Sequence, residues 1–107
     1  MSYKVVAIPP FERQLKRLAR KYPSMRDDVS ALVELLVEQP TLGTPIGKNC
    51  YKIRLAISSK ATGKSGGARV ITTCIVSADA VYLLAVYDKS ERANITELEI
   101  DRLLGGI

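Results

Sequence analysis

Three segments in succession constrain the fold of this chain more than any other feature. In residues 51–58 large apolar side chains alternate with polar or small ones, and this period of two is typical of a half-buried strand. Residues 68–76 and 81–86 are apolar or β-branched almost throughout, which favours central strands. Residues 77–80, Ser-Ala-Asp-Ala, join the last two segments as a hairpin turn. We therefore expect a mainly antiparallel sheet in the second half of the chain.

A strand and a helix are predicted before this sheet. Residues 3–8 are rich in β-formers and end at two prolines, which can begin a helix because the N–H that proline lacks is unpaired there. Phe11, Leu15, Leu18 and Tyr22 then recur at helical spacing, with basic residues between them. The pattern predicts a first helix with a basic outer surface.

A second helix, a loop and a short last helix complete the chain. Ser24-Met-Arg-Asp27 matches a capping box, and the apolar residues that follow keep helical spacing until Pro40 ends the helix. Because the turn between the two helices is short, they should form an antiparallel hairpin. Residues 41–48 include two glycines and one proline and are predicted as a loop. Residues 96–104 predict a last helix after another capping-box match.

These elements predict a two-layer α+β fold. An N-terminal strand and a helical hairpin pack on a mainly antiparallel sheet of about four strands, and a short C-terminal helix follows. A length of 107 residues suits one hydrophobic core, so we expect a single domain over residues 1–107. No apolar run approaches the ~20 residues that span a bilayer, and we expect a cytoplasmic protein without a membrane partner.

The chain is basic, and its charges are unevenly distributed. Sixteen Lys and Arg against eleven Asp and Glu give a formal charge of +5, which suits a polyanionic or acidic partner. Between Gly47 and Arg92 there are eight cations and three acids, whereas residues 27–38 and 97–101 hold most of the acids. We therefore expect one basic and one acidic side.

The residue types also limit the chemistry. Histidine is absent, and Cys50 and Cys74 lie in predicted strands without the spacing of a metal motif, which indicates buried thiols. We therefore expect neither a zinc site nor another cofactor. Any acid–base chemistry must use Lys, Arg, Tyr, Asp or Glu.

Residues 61–67, Ala-Thr-Gly-Lys-Ser-Gly-Gly, resemble part of a P-loop without completing it. The P-loop pattern requires a glycine at the position of Ser58, and it must lead into a helix, whereas this segment precedes a strand. We interpret the segment as an exposed cationic hairpin loop, which is either a contact for phosphate groups or a soluble turn.

Several strings, in this order of elements, resemble one protein family. The strings are Phe11-x-x-x-Leu-x-x-Leu, Cys50-Tyr-Lys-Ile-Arg, and Arg69 shortly after a glycine pair. They are similar to strings of the RelE/ParE toxins of bacterial type II toxin–antitoxin systems, in particular of the RelE-like branch. The resemblance implies a compact α+β toxin that a cognate antitoxin holds inactive, with a higher-order toxin–antitoxin complex open. RelE-type members cleave mRNA in the ribosomal A site without a metal, which inhibits growth.

The resemblance also implies catalytic residues. Lys52 and Arg54 match the family's paired basic positions on one strand, and Arg69 matches its arginine on the next. Lys89 matches a basic residue after the last core strand. The Tyr or His that many members carry in the last segment has no match here, so Tyr87 is either its substitute or a core aromatic with an exposed hydroxyl.

The chemistry suits these residue types. In metal-free cleavage the RNA 2′-OH attacks the adjacent phosphate, a base and an acid move protons, and cations stabilise the charged phosphorane. Arg69 suits the last role because a guanidinium binds phosphate bidentately, and Lys52, next to Arg54, is a candidate base or acid. Further RNA contacts are expected from Arg17, Arg20, Lys48, Lys60 and Lys64.

Two other functions stay open. ParE-type members of the family inhibit DNA gyrase without RNA chemistry, and an inactive relative would only bind its antitoxin. In each case the expected partner is an acidic, partly disordered antitoxin segment that covers the basic face or replaces the last helix. Ribosome and mRNA are expected partners only of the nuclease.

Overall fold

A computed structural model describes residues 2–60 and 63–107. Ala61 and Thr62, which begin the predicted cationic loop, lie outside the described residues. Two short 3₁₀ turns, Ser58–Lys60 and Val76–Ala78, lie between main elements in the second half of the chain. Those elements are, in order, β1 (Lys4–Ala7), α1 (Pro9–Lys21), α2 (Met25–Glu38), β2 (Thr44–Gly47), β3 (Cys50–Leu55), β4 (Ala68–Ile75), β5 (Ala80–Asp88) and α3 (Glu97–Leu104).

The strands form one mixed sheet in the order β1-β5-β4-β3-β2. All neighbours are antiparallel except β1 and β5, which run parallel with Lys4 beside Ala80. The predicted α+β class and the mainly antiparallel sheet are therefore confirmed. β4 and β5 are central and almost entirely buried, as their apolar composition predicted.

The sheet has five strands, because Thr44–Gly47, predicted as a loop, forms the edge strand β2. Thr44 lies beside Lys52 and Pro45 beside Tyr51, and proline is tolerated on an edge strand, where a missing donor breaks no ladder bond. Gly43 precedes β2 with φ +108°, and a Cβ there would lie 2.7 Å from the carbonyl oxygen of Lys52. This close approach of two backbones requires glycine.

The helical hairpin covers one face of the sheet, here called the hairpin face. Phe11 and Leu18 of α1 and Met25 and Leu36 of α2 are fully buried in the core. Both helices pack against the sheet, α1 mainly on β5. The core is therefore shared between this hairpin and the central strands.

The short helix α3 covers part of the opposite face, here called the α3 face. The capping box predicted at Thr96 is present, with both reciprocal bonds to Glu99. The one predicted at Ser24 is absent, because the Ser24 hydroxyl donates to the Asp28 carboxylate and contacts Ser59 instead. No helix in the described parts of the chain is long and apolar enough to cross a membrane.

Candidate nucleic-acid interface

A row of polar side chains crosses three strands on the α3 face. Arg54 of β3 lies directly beside Arg69 of β4, and Arg69 lies beside Tyr87 of β5. Lys52 is two residues before Arg54, and since side chains two apart share a face of a strand, it belongs to the same face. The register therefore brings together four of the predicted catalytic residues, whose exposures differ.

Three cations line a cleft at the β3 end of this row. The cleft has a volume of about 280 Å³. Among the described residues no carboxylate lines it, and none forms an ion pair with these cations. A cluster of cations without paired carboxylates favours a polyanionic ligand. Its lining consists of Lys52, Arg54 and Lys64 together with Leu42, Gly43, Thr44 and Ile53; we call it the cationic cleft.

The side chain of Arg69 is buried. It is only 5% exposed, and one terminal nitrogen donates to the carbonyls of Lys64 (3.0 Å) and Ala68 (3.1 Å). The other terminal nitrogen donates to the carbonyl of Ser65 at 3.3 Å. Its predicted direct contact with a reacting phosphate would require these bonds to break, because they occupy most of the outer donors of the guanidinium.

Tyr87 is a core aromatic. The residue is 4% exposed, and its hydroxyl has no hydrogen-bond partner among the described residues. Burial raises the pKa of this hydroxyl, although the positive charges of Arg92 and Arg69 oppose the rise. The Arg92 guanidinium lies 5.1 Å from the centre of the ring and pairs with Glu99 of α3. The expectation of an exposed hydroxyl is therefore wrong, and a role in proton transfer would require the cover of Arg92 and α3 to move.

Lys60 lies away from the cationic cleft. Its ammonium donates to Asp88 and to Ser90, both at 2.9 Å, and lies 5.4 Å from the ring centre of Tyr22, which directly follows α1. Asp88 follows Tyr87 and therefore points to the hairpin face. The predicted RNA contact of Lys60 would compete with a buried carboxylate for the same ammonium group.

The other predicted cations are dispersed over the surface. Lys48 pairs with Asp101 of α3. Arg17 pairs with Glu91 at 3.2 Å, whereas Arg20 on the same helix is exposed and forms no ion pair among the described residues. Lys89 is also exposed, and its amide donates to the Gly67 carbonyl. None of these four lines the cationic cleft.

Asp88 is a buried acid that sequence reasoning missed. Its side chain is fully buried and accepts from Tyr22, Lys60 and Ser90. Burial alone would raise the pKa of Asp88, but these hydrogen bonds outweigh burial and lower it far below the usual range. The signal in the sequence was an acid at an inward position of an apolar strand, which must have buried partners.

Solved structures with the same architecture are known, although no family model and no curated protein matches the chain. A mutant of the E. coli toxin RelE in the free state superposes with a TM-score of 0.64 at 18% identity, over 100% of this chain and 99% of that one. The toxin–antitoxin complex RelBE2 from Mycobacterium tuberculosis gives 0.63 at 18% identity, over 82% and 99%. An E. coli RelE mutant with an antitoxin RelBc peptide gives 0.57 at 24% identity, over 95% of both chains.

These likenesses define the class of protein. The chain is an α+β protein with the fold of the RelE toxins, and the resemblance that its sequence strings indicated is confirmed in the fold. At 18% to 24% identity a shared fold does not by itself carry a shared activity. Function must be argued from the cationic cleft and its surroundings.

Proposed function

We propose that this protein is the toxin of a type II toxin–antitoxin system and that it cleaves mRNA on the ribosome without a metal. The observation that carries the proposal is the cationic cleft. Lys52, Arg54 and Lys64 converge there without a neutralising carboxylate in the described chain, on the fold that RelE toxins use. Three cations around one cleft suit the phosphates of a single strand.

The cleft residues would act on one phosphate and its neighbours. The 2′-oxygen forms a bond to the adjacent phosphorus as the bond to the 5′-oxygen breaks, which leaves a 2′,3′-cyclic phosphate. A base accepts the 2′-hydroxyl proton, and an acid returns a proton to the 5′-oxygen. Lys52 is the proposed proton carrier because it is half-buried at the cleft, and Arg54 is the proposed clamp on the developing negative charge.

The ribosome and the antitoxin are the proposed partners. Arg13, Lys16 and Arg20 are exposed on α1, on the outer side of the hairpin, and they would contact ribosomal RNA while the cleft holds the message. An acidic antitoxin segment would neutralise the toxin by occupying the same cationic cleft. Among the neighbours in fold, E. coli RelE is known in complex with an antitoxin peptide.

Expression of the protein with and without its antitoxin tests the proposal. The ends of transcripts are mapped in cells that make the wild type, the double variant Lys52→Ala/Arg54→Ala, or the control Lys4→Ala. Lys4 is an exposed cation on β1, at the opposite edge of the sheet from the cleft. We expect cuts inside translated codons for the wild type and the control, and none for the double variant.

Gyrase inhibition is the second candidate, and one observation favours it. The chain has no histidine, and the hydroxyl of Tyr87 is buried, so the cleft lacks the usual groups for proton transfer. Growth arrest with intact transcripts and accumulating DNA breaks would support this alternative. Arrest that the antitoxin relieves, with neither cuts nor breaks, would contradict both activities.

The mode of neutralisation can be tested separately. Hydrogen exchange of Thr96–Leu104 is compared in the free toxin and in the complex. Loss of protection in the complex would indicate that the antitoxin replaces α3. Unchanged protection there, with new protection at Lys52 and Arg54, would indicate that the antitoxin covers the cleft directly.

A further inference from the structure

Arg69 lies in the row of predicted catalytic residues, yet its bonds are all internal to the chain. Three of its hydrogen bonds reach carbonyl oxygens at residues 64, 65 and 68, and the side chain is 5% exposed. A guanidinium in this state holds backbone in place. Its charge is partly compensated by the carbonyl dipoles that surround it.

The segment it holds is the one that brings Lys64 to the cleft. Residues 63–66 form turns that belong to no described strand or helix, and the chain enters β4 at Ala68. A Cβ on Gly67 would lie 2.3 Å from the Leu55 carbonyl, so the segment passes close over the end of β3. The Gly67 carbonyl accepts from the Lys89 amide, which fixes the end of the segment. The two bonds from Arg69 are the side-chain contacts that fix its middle among the described residues.

We infer that Arg69 is a positioning residue, which acts on RNA through Lys64. By binding the carbonyls of Lys64 and Ser65, it orders the segment so that Lys64 lines the cationic cleft together with Arg54. Lys64, and not Arg69, is then the cation that contacts the phosphate. The inference rests on the proposed function in one respect only, which is that the cleft binds RNA.

The substitution Arg69→Lys tests this role because it keeps the charge and removes the fork that spans two carbonyls. Amide exchange over residues 63–67 is expected to become about tenfold faster, the effect of losing one or two hydrogen bonds. The control Lys52→Ala, at the same cleft, should leave exchange of this segment unchanged. Unchanged exchange in Arg69→Lys would overturn the inference.

The affinity for a single-stranded oligouridylate then shows whether Arg69 acts through Lys64 or contacts the RNA itself. If Arg69 acts through Lys64, Lys64→Ala and Arg69→Lys each weaken binding, and the double variant binds no worse than Lys64→Ala alone. Lys52→Ala combined with Arg69→Lys should instead multiply the two losses. Losses that multiply for Lys64→Ala as well would mean that Arg69 contacts the RNA itself.

A measurement on the unaltered chain covers the case in which Arg69→Lys fails to fold. The side-chain nitrogen signals of Lys64 should shift when oligouridylate is added, whereas those of Arg69 should stay in place and exchange slowly with water. Shifts at Arg69 larger than those at Lys64 would overturn the inference. If the wild type binds no RNA, the proposed function fails, and the exchange of residues 63–67 alone decides the role of Arg69.

Discussion

Two groups of cations in this molecule lie in opposite electrostatic surroundings. Around Asp88, on the hairpin face, Lys60 and Lys21 are both within ion-pair distance of a buried carboxylate, and Tyr22 donates to the same group. At the cationic cleft, Lys52, Arg54 and Lys64 have no acidic partner among the described residues. The first group joins α1, the 3₁₀ turn Ser58–Lys60 and β5 to each other. The second group forms no ion pair that joins described elements.

The difference suggests that stability and binding are carried by separate charges. A buried carboxylate with several donors must keep them, because removing one partner leaves the others unpaired in the interior. A cation at an open cleft contributes little to folding, since water solvates it in the folded and the unfolded chain alike. Substitutions in the two groups should therefore change different measured quantities.

The largest expected effect is the loss of stability in Asp88→Asn. Lys60 and Tyr22 would lose their charged acceptor, and the free energy of unfolding should fall by about 3 kcal/mol. Unfolding in urea measures this change. Asp101→Asn is the matched control, because Asp101 pairs with Lys48 but its side chain is 53% exposed. Equal losses in the two variants would contradict the distinction between the two groups.

The next effect concerns RNA and leaves stability alone. Arg54→Ala should weaken binding of single-stranded RNA roughly tenfold, the loss typical of one hydrogen bond to a charged group. It should also reduce the slope of log affinity against log salt by about 0.7, the share of one phosphate on a single strand. The free energy of unfolding should change by no more than about 0.5 kcal/mol. A salt slope equal to that of the wild type would exclude Arg54 from the interface.

A smaller effect is expected at α3, where the pairs are half-exposed. The Arg92 guanidinium lowers the pKa of Glu99 from 4.5 to about 2, helped by the amide of Thr96. Since the folded pKa lies below the unfolded one, the stability that Glu99 contributes is present above pH 4.5 and is lost as the pH falls towards 2. Glu99→Gln should lower the free energy of unfolding by about 1 kcal/mol at pH 6. This loss should be much smaller at pH 2, where Glu99 is partly protonated in the folded chain, and urea unfolding at both pH values measures it. If the variant remains equally destabilised at low pH, the loss comes from packing and not from the charge of Glu99.

The smallest effect is predicted for Lys48→Ala. Its ammonium pairs with Asp101 at the surface, which raises the pKa of Lys48. An exposed pair contributes little to stability, and Asp101 would compete with RNA for the charge. We expect little change in either stability or RNA affinity. A loss of affinity as large as that of Arg54→Ala would extend the interface to the β2–β3 turn.

The fold could be predicted in most of its parts because local signals agree with one another. The apolar runs of β4 and β5, the period of α1 and the capping box at Thr96 each indicate their own element. β2 could not be predicted, because its four residues include Pro45 and Gly47 and become a strand only by pairing with β3. Pairing of that kind depends on a neighbour in space.

The site could be predicted in its position but not in the state of its side chains. Alternation along β3 indicated that Lys52 and Arg54 share a face, and the register shows that Arg69 and Tyr87 lie on it too. The burial of Arg69 and Tyr87 could not be inferred, because it depends on how the 63–67 segment and α3 fold over them. The pairing of Lys60 with Asp88 likewise joins residues that are distant in sequence.

The parallel pairing of β1 with β5 joins the beginning of the chain to a strand near its end. During synthesis β1 leaves the ribosome before β5, and its strand partner among the described residues, at positions 80–83, follows much later. Closing so long a loop is slow compared with forming the hairpin of α1 and α2. We therefore expect the sheet to be completed only after β5 has been translated. Any property that needs the complete sheet would then appear only after the β5 residues have been synthesised.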